Sequence, residues 1–327
     1  MKVRDFSSDL TIRSKSSDRV APKVSIILPT YARAQTTLST AVESVLSQSF
    51  GDFELIIVDD GSRDGTADVL SEYARVDDRI ILHSYHRNSG LPALRVNQAA
   101  LRSRGNYIGY QFDDDVWTED SLRVRMSELE RADQLAVVYG NSEVSFGPDE
   151  GRKSIALGGP FNFAELVRQN FIANNTVLHH RSLFDVAGMY DPHVILRRYS
   201  DYDLWLRFSQ YAKFIWVDQT VSLVNANLDN SLGREIPHFY TLHRKMISIH
   251  RDRFLTPGEI ENYDVVDVAL FADRLTESEI ENYRRNVAIP FLSGFNDYCT
   301  EDELSVAASL RGRRLNLMTV KPDFSTS

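Results

Sequence analysis

Cysteine is almost missing from this sequence: Cys299 is the single thiol among 327 residues. That excludes an intrachain disulfide and a thiolate metal cage, so a bound cation has to be sought among oxygen ligands. Long apolar runs are missing as well. No stretch approaches the roughly 18 to 20 residues of a spanning helix. The first twenty residues mix charge with Ser and Asp where a signal peptide would carry an apolar core. The expectation is a protein that stays in the cytoplasm. A basic excess is also lacking. With 37 Lys and Arg against 46 Asp and Glu, the formal charge of −9 argues against broad binding to nucleic acid or anionic lipid. Such a surface repels a nucleotide diphosphate unless a cation intervenes.

Two phosphate-binding signatures are absent. Gly61-Ser62-Arg63-Asp64-Gly65 is not a G-x-G-x-x-G loop, and none follows the first strand, which disfavours a nicotinamide dehydrogenase. The run Gly147 to Ser154 is one residue short of a P-loop and has Arg after its second glycine; it reads as a surface loop.

What is present is ordinary for a globular chain, with 43% hydrophobic and 25% charged residues, so a sizeable core is affordable. Residues 1–22 show no hydrophobic period and read as an arm. From Val24 the pattern alternates. Val24 to Leu28, stopped by Pro29, and Leu55 to Val58 read as buried strands, with a helix between them marked by Leu38, Ala41, Val42, Val45 and Leu46. A helix over Thr66–Tyr73, a strand over Arg79–Leu82, a helix over Ala93–Ser103 and a strand over Tyr107–Phe112 continue it. This predicts an α/β fold with a mostly parallel sheet flanked by helices, with ligands beyond the carboxyl ends of the strands. After about residue 235 the sequence turns polar and helix-rich, and Thr256, Thr276 and Thr300 each precede Glu by three residues, the capping-box spacing. Residues 236–327 therefore read as a helical appendage.

The residues just after the strands carry the chemistry. Asp113, Asp114 and Asp115 stand in a row after an apolar strand. A turn needs one of them; three adjacent carboxylates repel unless a cation is present, and carboxylate, water and phosphate oxygens are the usual shell of Mg2+ or Mn2+. Asp59 and Asp60 end another strand, where a carboxylate can accept from a base or ribose. In Ser200-Asp201-Tyr202-Asp203-Leu204-Trp205, a helix start, one Asp serves as a cap and Asp201 is the better candidate for a general base. His179 and His180 read as one packed and one exposed imidazole, and Trp205 and Trp216 as core.

Taken together, these segments resemble the family 2 glycosyltransferases of GT-A fold. The matches are VSIILPTY (Val24–Tyr31), SVLSQSF (Ser44–Phe50), FELIIVDDGSRDGT (Phe53–Thr66), Asn88-Ser89-Gly90, RGNYIGYQFDDDVW (Arg104–Trp117), Tyr139-Gly140-Asn141 and DYDLWLR (Asp201–Arg207). They cover residues 23–235, divided into a nucleotide-binding half, 23–115, and an acceptor half, 116–235. The resemblance implies an inverting transferase that moves a sugar from a nucleotide-diphosphate donor, a UDP-sugar first among them, to a carbohydrate or lipid-linked hydroxyl in bacterial surface polysaccharide synthesis. It further implies that Pro29, Tyr31, Asp60, Arg95, Asp113 and Asp114 bind the donor, that Asp114 and Asp115 hold Mn2+ or Mg2+, and that Asp201 is the base. Two departures stand out. Phe112 replaces the usual first Asp of the acidic motif, which moves the sugar or ribose contact to Asp113, and Asn225 or Asn227 stands where many members have His. Rival readings are a sugar nucleotidyltransferase and a non-catalytic sugar-binding module. Association with the inner face of a membrane, further domains and a homo-oligomer are compatible partners, and the final Lys321-Pro322-Asp323-Phe324 suggests a longer polypeptide.

Overall fold

Strands β2 (Val24–Thr30) and β3 (Phe53–Asp59) are buried at every position, as befits central strands covered on both faces. Their alternate residues enter two separate cores. Ile27, Ile56 and Val58 join one cluster, while Val24, Ile26, Leu28, Leu55 and Ile57 join the other. The computed structural model describes residues 10–14, 20–146, 153–225, 256–268 and 275–288, with Lys245, Ile247 and Phe291.

The other elements follow in chain order: β1 (Leu10–Ser14), α1 (Leu38–Leu46), α2 (Thr66–Val76), β4 (Ile80–Tyr85), α3 (Pro92–Ala100), β5 (Tyr107–Tyr110), β6 (Asp115–Trp117) and α4 (Ser121–Arg131). After them come β7 (Ala136–Phe146), β8 (Lys153–Leu157), α5 (Phe163–Arg168), β9 (Val177–His180), α6 (Leu183–Ala187), α7 (Ser200–Phe208), β10 (Lys213–Asn225), α8 (Pro257–Asn262) and α9 (Glu277–Tyr283). The sheet runs β1-β4-β3-β2-β5-β9-β7-β10-β6, with β8 on β7. Strands β4, β3, β2 and β5 are parallel, as expected; beyond them β9 and β6 pair antiparallel, so the whole sheet is mixed. Helices α1, α2 and α4 cover one face, and α3, α6 and α7 the other.

Strand β2 lies between β3 and β5, so the chain reverses its direction of growth there. That switch point leaves a crevice beyond the strand ends. Pro29 does not stop β2. It continues in register opposite Val58, because β5 pairs only with Val24 to Ile27 and asks no N–H of the prolyl nitrogen.

Two further expectations are corrected. Order does not begin at Val24: Leu10–Ser14 pairs antiparallel with β4 at the sheet edge, a role that needs no hydrophobic period because an edge strand buries little. The described C-terminal residues carry α8 and α9, and Ile260, Tyr263, Val265, Val266 and Tyr283 enter the main core cluster, with the Val194 N–H donating to Val265 O at 2.8 Å. His180 is half-buried rather than exposed, with Nδ1 3.1 Å from Ala136 N, whereas His179 is packed against Tyr110, Phe184 and Phe208. The capping boxes at Thr256 and Thr276 are both formed. Residues 147–152, Asn227 and the Thr300 capping box lie outside the described residues.

Candidate active site

The acidic run is a turn. The Asp115 N–H donates to Phe112 O at 3.2 Å, which puts Asp113 and Asp114 at its two corner positions and starts β6 at Asp115. Chain direction thus separates the three carboxylates. Asp113 turns to the end of β2, where Thr30 Oγ1 donates to its Oδ2 at 2.6 Å and the Tyr31 N–H does so at 3.3 Å. Asp115 enters the antiparallel pairing with β10, and Asn175 Nδ2 donates to its Oδ2 at 2.7 Å and to Ser222 Oγ at 2.8 Å. Among the described residues no three His, Cys, Asp or Glu side chains converge on one metal-sized point. The oxygen donors still suit a hard cation that keeps water and phosphate oxygens and takes only one or two carboxylates.

Burial dominates the electrostatics. It pushes Asp113 up to about 6, with the Asp114 charge adding to the rise and the Thr30 hydroxyl and Arg33 opposing it. Asp114 is raised by burial against the pull of Arg33, and Asp115 is raised well above the carboxylate range by burial and both neighbours. Arg33 is the positive group at the corner, with Nε 3.4 Å from Asp113 Oδ1 and Nη2 3.9 Å from Asp114 Oδ2. Sequence reasoning missed it, although its place three residues past β2 was a signal.

The loop after β2 is held down by the loop after β3. Ser62 Oγ accepts from the Ala32 N–H, Thr66 Oγ1 from the Arg33 N–H, and Asp64 Oδ2 from the Ala34 N–H. These bonds fix Ala32 at a φ of +55°, a left-handed conformation that an alanine adopts only under such constraint. Tyr31, beside it, is exposed, and Pro29 is buried in β2. Asp60 accepts from the Ser89 N–H at 2.9 Å, from Ser89 Oγ at 2.9 Å and from the Gly90 N–H at 3.2 Å, so it gathers the loop before α3. Arg95, expected near a diphosphate, is buried over the Tyr85 ring, with Nε on Asp60, Nη1 on Gln98 and Nη2 on Arg87 O. Its geometry supports that loop.

Asp201 and Asp203 are separated by their partners. Asp203 is buried, and its Oδ2 accepts two hydrogen bonds from Arg207, at 3.0 and 2.8 Å. Asp201 is half-buried in the first turn of α7, accepts from Asn170 Nδ2 at 3.1 Å and is pushed up to about 6 by burial. Its charge acts toward the acidic turn. Tyr190, whose phenol feels the Asp201 charge, donates to Asn174 Oδ1 at 3.0 Å, and the next residue, Asn175, holds Asp115. On the other side, the Asp60 N–H donates to Thr30 O at 2.9 Å, and the Thr30 side chain holds Asp113. Asp60 and the turn are therefore joined by hydrogen bonds at the strand ends, and the Asp201 charge reaches the Tyr190 phenol that binds Asn174. Trp205 is fully buried; Trp216 is half-buried, with Nε1 on Asn141.

The family model for glycosyl transferase family 2 matches residues 25–205, more than half of the chain. The chain belongs to glycosyl transferase family 2. EpsE of Bacillus subtilis, named a glycosyltransferase, is 32% identical to it over 188 residues, 57% of this chain and 66% of the relative. TuaG of the same organism, named for teichuronic acid biosynthesis, is 41% identical over 105 residues, 32% of this chain. The chain spans 41% of TuaG and 66% of EpsE, less than two thirds of either. Among solved structures, S. aureus TarS with UDP-GlcNAc superimposes at a TM-score of 0.60 with 15% identity, covering 84% of this chain and 80% of that one. At that identity the likeness shows the fold alone, and it is the GT-A fold expected from the motifs. No helix among the described residues is long and apolar enough to cross a membrane.

Proposed function

We propose that this family 2 transferase moves a sugar from a nucleotide-diphosphate donor to a hydroxyl acceptor with inversion. The observation that carries it is the gathering of Asp60 and the Asp113-Asp114 turn at the sheet's switch point, with Asp201 near enough for its charge to act on Tyr190, the hydrogen-bond partner of Asn174. The reaction is a single displacement. Asp201 takes the acceptor proton, and the acceptor oxygen bonds to the anomeric carbon. The bond from that carbon to the donor's phosphate oxygen breaks, and its electron pair leaves with the nucleoside diphosphate. Tyr31, exposed beside the Asp60 loop, would meet the nucleobase, and Asp113 the ribose or sugar; the exposure of Tyr31 supports this reading.

Mn2+ or Mg2+, held by Asp114 with Asp113 beside it, would supply positive charge at the diphosphate when bound. PcManGT of Pyrobaculum calidifontis, a fold neighbour at a TM-score of 0.50, was captured with GDP-Man and Mn2+, which supports that class of donor and ion. Asp115, closed by Asn175, plays the lesser part in that reading. E. coli WfgD, 29% identical over 202 residues, is named for transfer of glucose from UDP-Glc to a GlcNAc-diphosphoundecaprenol, which favours UDP-sugars and a lipid-linked acceptor in surface polysaccharide synthesis at the cytoplasmic membrane face. The deciding assay measures nucleotide release from UDP-glucose, UDP-GlcNAc and GDP-mannose with and without Mn2+. Release that persists in Asp114→Ala with a chelator present would remove the metal, and a wild type that binds a donor without releasing nucleotide would make the chain a binding module.

A further inference from the structure

The Asn170 amide is oriented from both ends. Its Oδ1 accepts from the Ile172 N–H at 3.2 Å, and its Nδ2 donates to Asp201 Oδ2 at 3.1 Å. The first bond decides which end of the amide faces the carboxylate, because a flipped amide would set an N–H against an N–H. Ile172 is fully buried in the main core, so the donor that fixes the amide is itself immobile. Asn170 follows α5, whereas Asp201 is on α7; the contact joins two elements that flank the acceptor side.

We propose that Asn170 is the positioning residue of the base: it binds one oxygen of Asp201 and leaves the other to receive the acceptor proton. The inference rests on Asp201 acting as base. The groups around the carboxylate are the Asn170 amide, the Tyr190 phenol from the loop after α6, and the first-turn N–H groups of Asp201 and Tyr202. On its own helix, Asp203 is paired with Arg207 through Oδ2. The forces that oppose burial at Asp201 are thus dipoles, and Asn170 is the side chain among them. It favours the ionised form, which alone can accept a proton.

The test is a pH titration of the Asp201 carboxyl by 13C NMR on aspartate-labelled chain, with the resonance assigned by its loss in Asp201→Asn. Asn170→Ala removes the donor; Asn170→Asp keeps the acceptor for Ile172 and so keeps the loop, but sets an anion beside Asp201. The midpoint should rise by about one unit in the first and by more in the second. Nucleotide release from UDP-glucose, UDP-GlcNAc and GDP-mannose, assayed in parallel, should show the acidic limb moving by the same amounts, with kcat falling and the KM for donor unchanged. A midpoint that stays put in both variants overturns the inference. An Asp201→Asn chain that releases nucleotide at the wild-type rate overturns the base as well, whereas an inactive Asp201→Asn beside unmoved Asn170 variants overturns the positioning role alone.

Discussion

Arg95 Nε and Asp60 Oδ1 form a buried ion pair of 2.5 Å between the middle of α3 and the end of β3. Removing one partner strands the other charge away from water, which costs more than the pair contributes when whole. Arg95→Ala should therefore lower unfolding free energy by roughly 3 to 5 kcal/mol, and Arg95→Lys should restore little, since lysine cannot hold Asp60, Gln98 and Arg87 O together. Urea unfolding midpoints at one pH check both.

Arg33 stands beside the carboxylates proposed to hold a cation. At 3.4 Å from Asp113, its attraction is about 5 kcal/mol at an effective dielectric of 20 before screening. Arg33→Met should then bind Mn2+ at least about tenfold more tightly in the absence of nucleotide, a change of about 1.4 kcal/mol. Electron paramagnetic resonance of free Mn2+ reads the affinity directly. Asp114→Ala is the control, and equal affinity in all three chains would remove the metal from this turn.

Asp201 should oppose stability at neutral pH. Its folded pKa of about 6 lies above the unfolded value, so its contribution is fully present below the unfolded pKa and is lost as pH rises through about 6. Asp201→Asn carries no such loss. It should melt a few degrees higher than wild type at pH 7.5, with the gap closing as pH falls toward 4, while its transfer activity disappears. A variant that is less stable at both pH values would contradict this balance.

Two glycines should respond in opposite ways. A Cβ on Gly105 would lie 2.5 Å from Ser25 N and 2.7 Å from Val24 C, both backbone atoms that cannot move without opening the β2–β5 pairing. Gly51 has nothing within 4 Å of the same atom. Gly105→Ala should lower the melting temperature sharply and Gly51→Ala should leave it nearly unchanged; thermal unfolding of the two variants side by side is sufficient.

The site was legible where its residues sit next to strands. Apolar runs ended by Asp59-Asp60 and Asp113-Asp114-Asp115 could be read directly, because a strand's burial and its sudden acidic end are both local. Asp201 and Asp203 divide by partner: Arg207, one helical turn on, pairs with Asp203. Arg33, Asn170, Asn175 and Tyr190 were not found. Each is an ordinary residue in an ordinary segment and is brought to the site by a partner 30 or more residues away: Asp113 for Arg33, Asp201 for Asn170, Asp115 for Asn175 and Asn97 for Tyr190.

Periodicity and strand-end chemistry by themselves determined the α/β class, the parallel centre of the sheet and the edge on which the acidic groups gather, since these follow from which side chains avoid water along a short stretch of chain. Tertiary structure alone decided how those groups are shared out. A turn at Asp113-Asp114 sends Asp115 to another strand, Asp60 is taken by Arg95, and Asp201 is met by Asn170. Long-range pairing has no local signature, because it depends on which elements the folded sheet brings side by side.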